Sequence, residues 1–431
     1  MNSVRHLLLI AATVGSAALV SVSALGQMPA DRFRLTVGLG YDQITQGYYL
    51  SQIDTLAVDE DSLIYLKQTS DALDDIRLKT RFEWSAPGLK TGYFKVDNLT
   101  YLSDEDLRNS LVLSFKSGPL TLENDFHARG VWDEGETSRR GYLTNAITGR
   151  FKPELSDDFF LILKNSFELV RHDGSGDYDF DYNYNKLSVG FEKEFGWTDL
   201  IALTYRNDIR VVNDSTRLNY TRHRALFELN WSPTFDISIE LENELMRIES
   251  DKEDDLDDGW EELIEGKATV HLGDKWKTGL RNLFEYVAYD SQDVVNFDYL
   301  YNTTELSISR SLATYSEIFV KPSALLFSSK YIEFEQQNYE QYALEYGFDI
   351  SSGDWLWLSV SHKIGRRDYR HEADEFYTDY LLNQLNLMGD LKILANVRLN
   401  TILSIDWEDH ELVGDDNNLS LFSIGVDYRF R

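Results

Sequence analysis

Apolar and polar residues alternate along almost the whole chain beyond Arg32. The final segment is typical, because five apolar residues at every second position are separated by polar residues or glycine: Phe422, Ile424, Val426, Tyr428 and Phe430. Successive side chains of a β-strand point to opposite faces, so a two-residue period indicates strands with one apolar and one polar face. The sequence therefore predicts an all-β protein.

Nine short turn signals divide these strands. They lie at Ala86-Pro87-Gly88, Ser117-Gly118-Pro119, 153–158, Gly196-Trp197, Ser232-Pro233, Gly273-Asp274, 311–314, Ser352-Gly353-Asp354 and Met388-Gly389-Asp390. Longer acidic connectors lie between them, such as 173–181, 251–259 and 409–418. Tight turns at one rim and long loops at the other are typical of an antiparallel up-and-down transmembrane β-barrel. With both termini at the tight-turn rim, the turns imply about 20 strands, within a range of roughly 16 to 22.

A large soluble all-β protein, either a propeller or several sandwiches, is the alternative fold. A propeller blade packs four short strands into about 40 residues, whereas this chain places two long ones in that length. A charged strand face is also hard to bury inside a sandwich core. In a barrel the charged face meets water in the lumen and the apolar face meets lipid, so the barrel accounts better for the pattern.

The N-terminus has the form of a secretory signal peptide. Arg5 and His6 precede an apolar stretch that continues to Val22, and small residues follow at Ala24 and Gly26. This apolar stretch is shorter than the ~20 residues that a spanning helix needs. We therefore expect residues 1–26 to be a signal peptide and residues 27–431 to form a single barrel domain.

The chain resembles a Gram-negative outer-membrane β-barrel of the porin-like kind, over nearly all of the mature sequence. The most specific part is the final strand, where the alternation from Phe422 to Phe430 resembles the signal that such proteins present to the barrel-assembly machinery. The resemblance implies a location in the cell outer membrane, with outer-membrane lipid and lipopolysaccharide as surroundings. Acidic loops such as 251–258 could share divalent cations with lipopolysaccharide phosphates, or simply be solvated. The sequence leaves the oligomeric state open.

The apolar strand faces predict which residues contact lipid. We expect outward side chains at Trp84, Trp231, Trp276, Phe284, Leu399, Trp407, Phe422 and Phe430. Tryptophans next to the tight turns should form part of an aromatic girdle at the headgroup level. Leu399 is expected near the bilayer midplane.

A barrel of about 20 strands has a lumen too wide for wall side chains to fill, so it is a water-filled channel or holds a plug. Only a few residues separate the signal peptide from Phe33, so we expect no N-terminal plug domain of the kind that TonB-dependent receptors carry. The longest predicted connector runs from Ile44 to Asp75. It could fold inward as a constriction or cover the mouth, and a partner could also fill the lumen.

The polar faces carry charges of both signs. Pairing the strands about Ser232-Pro233 predicts Arg224 opposite Glu242 and Arg222 opposite Glu244. Pairing across the preceding loop predicts Asp208 opposite Arg222. Three further charges share this inward face: Arg206, Arg210 and Glu240. One interpretation of this lumen charge ladder is a constriction that selects small polar solutes, and the other is a set of cross-strand ion pairs that only satisfies the wall.

Several functions lack support in the sequence. The formal net charge of −31 disfavours nucleic acid, whose phosphates need a basic surface. No G-x-S-x-G motif, cysteine or His-x-x-x-His pair is present, so we expect no enzyme, metal site or cofactor. Two functions remain: a porin-like channel for passive diffusion of small polar solutes, and an export or scaffold barrel that passes a polysaccharide or holds a partner protein.

Overall fold

The computed structural model describes residues 33–53, 64–87, 92–102, 106–131, 141–172, 181–196, 198–213, 219–250, 258–292, 297–329, 338–370, 378–411 and 416–430. All regular structure in these segments is β-strand. The strands are β1 (Phe33–Ile53), β2 (Ile64–Pro87), β3 (Tyr93–Leu102), β4 (Asp106–Ser117), β5 (Leu120–Val131), β6 (Tyr142–Phe151), β7 (Glu154–Ser156), β8 (Phe159–His172), β9 (Tyr182–Glu194), β10 (Leu200–Val212), β11 (Tyr220–Thr234), β12 (Ile237–Ser250), β13 (Gly259–Leu272), β14 (Trp276–Tyr289), β15 (Tyr299–Ala313), β16 (Ser316–Ser329), β17 (Tyr339–Ser352), β18 (Leu356–Tyr369), β19 (Tyr380–Leu394), β20 (Val397–His410) and β21 (Asn417–Phe430). Within the described segments, no helix has the length and apolarity to cross a membrane. The expected signal peptide lies outside the described residues.

The strands close into one antiparallel barrel. Each barrel strand pairs with its neighbours in sequence, and β1 closes the ring by pairing with β21 from Leu35 opposite Phe430 to Tyr48 opposite Asn417. The three-residue β7 is an extra strand beside the start of β8, while β6 pairs directly with β8. The barrel therefore has 20 strands, which confirms the predicted fold class and strand number. Closure leaves no free sheet edge between β1 and β21, so backbone groups there are paired, as a lipid environment demands.

Nine short connections lie at one rim, where β1 also begins and β21 ends. Three of the turns contain a glycine in the left-handed region, at Gly118, Gly273 and Gly353. A side chain disfavours that conformation, which explains why glycine stands there. Asp416 lies at the opposite rim, next to the end of β20. The predicted loops around Asp177 and Asp255 lie outside the described residues.

Two of the predicted turns are in the wrong place. The turn after β11 is Phe235-Asp236, and Ser232-Pro233 lies within β11 at a register shift between Trp231 and Thr234. Proline has no N–H to give to the ladder, and an irregular site tolerates it. Met388-Gly389-Asp390 lies inside β19, and the chain turns at Ala395-Asn396 instead. At these two places, therefore, Pro233 lies at an irregular strand position and Gly389 at a closely packed one, and neither lies in a turn.

The predicted connector from Ile44 to Asp75 is largely strand. β1 and β2 pair residue by residue from Phe33 opposite Trp84 to Ile53 opposite Ile64. The two strands have 21 and 24 residues, whereas most others have 10 to 15. The described part of this segment therefore belongs to an extended β-hairpin and is not a loop. Residues 54–63 lie outside the described part.

The apolar strand faces point away from the lumen. On β10 the outward Leu203 is 58% exposed, whereas the inward Asp208 is fully buried. Residues that stand directly opposite each other on paired strands lie on the same face, so the strand register extends this alternation around the ring. Most of the predicted lipid contacts lie on the outward face: Trp84, Trp231, Trp276, Phe284, Leu399, Trp407 and Phe422. Phe430 occupies an outward register position on β21. The expected depth of Leu399 is wrong, because the turn at Ala395-Asn396 places it two residues from the tight-turn end of β20.

Six hairpins that face the long connectors carry a polar side-chain pair on the outward face. In each hairpin an asparagine bonds across to a polar side chain of the partner strand: Asn98–Asn109, Asn124–Asn145, Asn165–Asn185, Asn207–His223, Asn243–Glu262 and Asn282–Asn302. Each pair satisfies polar groups that lipid cannot. The pairs therefore interrupt the apolar face without leaving these amide groups unbonded.

Seven of the hairpins joined by long connectors contain the same hydrogen bond at the connector end. The backbone N–H of the last residue of the first strand donates to the side-chain oxygen of an Asp or Asn that immediately precedes the second strand, at 2.5 to 2.9 Å. The acceptors are Asp181, Asn219, Asp258, Asp298, Asn338, Asp379 and Asp416. We call this bond the Asx staple. A tyrosine follows the acceptor in five of the seven hairpins, so the staple sets the position of an aromatic side chain at the start of the next strand.

Candidate functional site: the lumen charge cluster

The predicted arginines lie on the lumen face of two neighbouring strands. Asp208 stands directly opposite Arg222, and Arg206 stands opposite Arg224. Arg210 lies opposite Tyr220, two residues before β10 ends. Direct pairing of β10 with β11 thus brings four arginines to one patch of wall in the half of the barrel near the long connectors.

The predicted pairing between β11 and β12 is wrong. Arg224 lies opposite Met246 and Arg222 opposite Ile248, because the turn is at Phe235-Asp236 instead of Ser232-Pro233. Moving the turn by two residues along the chain moves every partner on β12 by four. Three glutamates of β12 still face the lumen, since a shift by an even number keeps each side chain on its face: Glu240, Glu242 and Glu244.

Asp208 is the centre of the cluster and has no exposed surface. Arg206 Nε donates to Asp208 Oδ1 at 2.6 Å, and the Tyr184 hydroxyl donates to Oδ2 at 3.1 Å. Arg224 Nε lies 3.4 Å from the same Oδ2 atom. A buried carboxylate is tolerated when it is paired and hydrogen-bonded, and these three contacts occupy both of its oxygens.

The ion pairs continue along the wall into an acidic stretch. Arg224 Nη1 donates to Glu244 Oε1 at 2.7 Å, which joins β11 to β12 by a diagonal contact. Further towards the tight-turn rim, Glu240 and Glu242 border a recess of about 100 Å³ together with Glu265 and Lys267. Glu265 itself accepts from Arg281 Nε at 2.6 Å and pairs with Lys267 at 3.0 Å.

Arg210 and Arg222 differ from the other arginines of the cluster, because tyrosine rings hold them. The Arg210 guanidinium lies 4.7 Å from the centre of the Tyr182 ring and 5.7 Å from that of Tyr220. Arg222 lies 4.1 Å from the centre of the same Tyr220 ring. Such cation–π contacts hold a guanidinium in place without using its N–H groups.

A second tyrosine–arginine arrangement lies on another part of the wall. Arg367 of β18 lies 4.1 Å from the centre of the Tyr339 ring and 5.0 Å from that of Tyr380. Its Nε and Nη2 atoms both donate to Gln341 Oε1, at 3.0 and 2.8 Å. Tyr182, Tyr220, Tyr339 and Tyr380 are each the first residue after an Asx staple.

Sequence reasoning missed these tyrosines. The available signal was the repeated Asp-Tyr or Asn-Tyr pair at the end of the long connectors, as at Asp181-Tyr182, Asn219-Tyr220 and Asn338-Tyr339. An Asp or Asn at such a place commonly bonds to backbone nearby, so the pair marks the first residue of a strand. The Asp or Asn therefore indicates the strand register from the long-connector end of each hairpin.

Comparison with known proteins supports the fold. No protein-family model and no curated protein matches the chain. The siderophore receptor PirA from Pseudomonas aeruginosa aligns at 10% identity with a TM-score of 0.51, covering 94% of this chain and 81% of that chain. The alcaligin outer membrane receptor FauA from Bordetella pertussis aligns at 8% identity with a TM-score of 0.51, covering 94% and 77%. The outer membrane protein OpdK from Pseudomonas aeruginosa aligns at 11% identity with a TM-score of 0.47, covering 93% and 99%.

The first two alignments join sequences of very low identity through a common architecture. The chain therefore has the fold of the β-barrels of the Gram-negative outer membrane. The likeness is one of fold, and the chemistry of this lumen has to be argued from its own side chains.

Proposed function

We propose that the protein is a channel of the Gram-negative outer membrane through which small polar solutes diffuse passively. The observation that carries the proposal is that the strands form the wall of a ring too wide for its own side chains to fill. Every described strand except the short β7 belongs to the wall of a 20-strand ring. A ring of this size encloses more space than its own side chains fill.

The composition of the lumen face favours polar solutes. It carries charges of both signs close together, with arginines on β10 and β11 and glutamates on β12 and β13. A second recess of about 440 Å³ is lined mainly by small or charged side chains of β14 to β19, among them Ser307, Ser359 and Glu345. A wall of this kind favours hydrated polar solutes over apolar ones.

The test is ion conduction by the refolded protein in a planar lipid bilayer, with reversal potential measured under a salt gradient. Replacing Glu240, Glu242 and Glu244 together by Gln should shift selectivity towards anions, because a pore enriches the counter-ions of its lining. The shift should shrink near 1 M salt, where screening acts beyond about 3 Å. Glu249→Gln is the matched control, since Glu249 lies on the outward face of the same strand.

The outcomes separate the alternatives. Conduction with a shifted reversal potential supports a channel whose glutamates act on passing ions. Conduction with an unmoved reversal potential would make the glutamates part of the wall only. A wild-type protein that conducts nothing would refute the channel and favour the export or scaffold barrel.

A further inference from the structure

Two arginines of the lumen lack the carboxylate acceptors that the other two arginines of the cluster have. Arg206 and Arg224 bond to Asp208 or Glu244, but Arg210 and Arg222 form no hydrogen bond or ion pair with any described residue. The Nε atoms of both are buried and without a hydrogen-bond acceptor in the described part of the chain, as is that of Arg224, which however donates from Nη1 to Glu244. A buried donor without a partner is costly, so such a pair needs an explanation.

The second tyrosine–arginine arrangement shows what a satisfied version looks like. Arg367 stands opposite Gln341 in the register of β17 with β18, and the Gln341 amide oxygen accepts two of its N–H groups. At the equivalent place, Arg210 stands opposite Tyr184. Both arginines lie two residues before the end of their strand, between the first tyrosines of the flanking strands. The two arrangements therefore differ mainly in the acceptor.

The groups that stand directly opposite the two arginines do not supply that acceptor: Tyr184 and Tyr220 face Arg210, and Asp208 and Ile248 face Arg222. The Tyr184 hydroxyl donates to Asp208. Asp208 stands opposite Arg222, yet its oxygens are taken by Arg206, Tyr184 and Arg224. Arg222 is left with the face of Tyr220, on which Arg210 also stacks. Two positive charges thus lie beside one ring with their Nε donors free.

We propose that Arg210 and Arg222 form a binding site for the carboxylate group of a small solute in the lumen. A guanidinium presents N–H donors in a planar fork that matches a carboxylate, and tyrosine stacking orients the fork without consuming it. The solute's carboxylate accepts from the terminal Nη groups of the two arginines, since their Nε atoms are buried. The inference rests on the proposed channel for the route by which the solute arrives, and it adds a substrate class, namely small organic acids.

The test measures binding separately from conduction. Purified full-length protein in detergent micelles is titrated calorimetrically with glucuronate and with glucose, which share a sugar ring but differ in the carboxylate. We expect wild type to bind glucuronate and to bind glucose at least tenfold more weakly. The double variant Arg210→Gln/Arg222→Gln should bind glucuronate at least tenfold more weakly than wild type.

A matched double variant controls for charge. Arg281→Gln/Arg398→Gln also removes two lumen-facing arginines, but each of these has a carboxylate partner, Glu265 or Asp390. It should bind glucuronate within about twofold of wild type. Arg210→Lys/Arg222→Lys keeps the charge and removes the fork, so it should bind like the Gln variant. Far-UV circular dichroism and heat-dependent gel mobility verify that each variant is a folded barrel.

The results decide between the explanations. Equal weakening by both double Gln variants would overturn the site in favour of general lumen charge. Full binding by the Lys variant would overturn the role of the fork, and equal binding of glucose and glucuronate would overturn carboxylate recognition. Carboxylate binding by a protein that conducts no ions would refute the proposed channel while leaving the site in place.

Discussion

Leu403, and not Leu399, is the lipid-facing leucine of β20 at mid-membrane depth. β20 begins at Val397 directly after the tight turn and has 14 residues. A tilted strand climbs roughly 2.3 Å per residue along the membrane normal. Leu399 therefore lies about 5 Å, and Leu403 about 14 Å, above the start of β20, in an apolar band of about 25 Å.

Arginine at these two positions should have very different effects on the free energy of unfolding. Leu403→Arg should cost about 2 to 4 kcal/mol, the range for a lipid-facing Arg near the bilayer midplane. Leu399→Arg should cost about 0 to 1 kcal/mol, because its guanidinium reaches the headgroup region. Ile402→Arg is the control for the inward face, since Ile402 is 39% exposed and stands opposite Met388 on the lumen side. It should be close to neutral.

The measurement is reversible unfolding by guanidinium chloride in phospholipid vesicles. The free energies of the three variants are compared at a common m-value, the slope of the free energy against denaturant concentration. The reasoning depends on the placement of the turn at Ala395-Asn396. If Leu399→Arg destabilised the barrel as much as Leu403→Arg, the turn would lie elsewhere and the register of β19 with β20 would be wrong. A large destabilisation by Ile402→Arg would mean that Ile402 faces lipid and that the two faces of β20 are assigned the wrong way round.

Two further predictions concern stability. Asn282→Leu should cost about 1 to 3 kcal/mol, because it leaves the Asn302 side-chain oxygen without its donor on the lipid side. Adding Asn302→Leu should cost less than the sum of the two single changes, and strict additivity in the same unfolding assay would refute the pair. In the connector after β14, two bonds from Arg247 hold the pKa of the Asp290 carboxyl below its usual range. That stabilisation is present above the ordinary aspartate pKa of about 4 and is lost as pH falls through the lowered value. Wild type should therefore melt higher than Arg247→Gln at pH 7, and the difference should vanish in acid; a difference that persisted at low pH would assign the effect to packing.

The alternation of residue types was enough to predict the barrel, because the side-chain period follows from strand geometry and needs no tertiary information. It also placed the inward charges on the correct face, from Arg206 to Glu244. A turn displaced by an even number of residues keeps faces while changing partners. Face assignment is therefore robust where pairing is not.

The predicted turns are wrong where a proline or glycine lies inside a strand. Pro233 sits in an irregular part of β11, and Gly389 sits inside β19 with Thr401 and Leu358 side chains within 3.2 and 3.7 Å of where a Cβ would be. A single sequence does not distinguish a glycine that turns the chain from one that makes room for a neighbour. The tyrosine-held arginines were missed for a different reason, since stacking on Tyr182 and Tyr220 depends on three strands at once.

The Asx staples have a consequence for how such a ring can change size. Each staple is local to one hairpin, because its donor and acceptor are separated by only 6 to 10 residues of chain. The register of the two strands in a hairpin is therefore fixed within that hairpin and does not depend on the other strands of the barrel. A duplicated or deleted hairpin would keep its internal pairing and alter the ring by two strands, which makes the hairpin the unit in which a wider or narrower barrel can evolve.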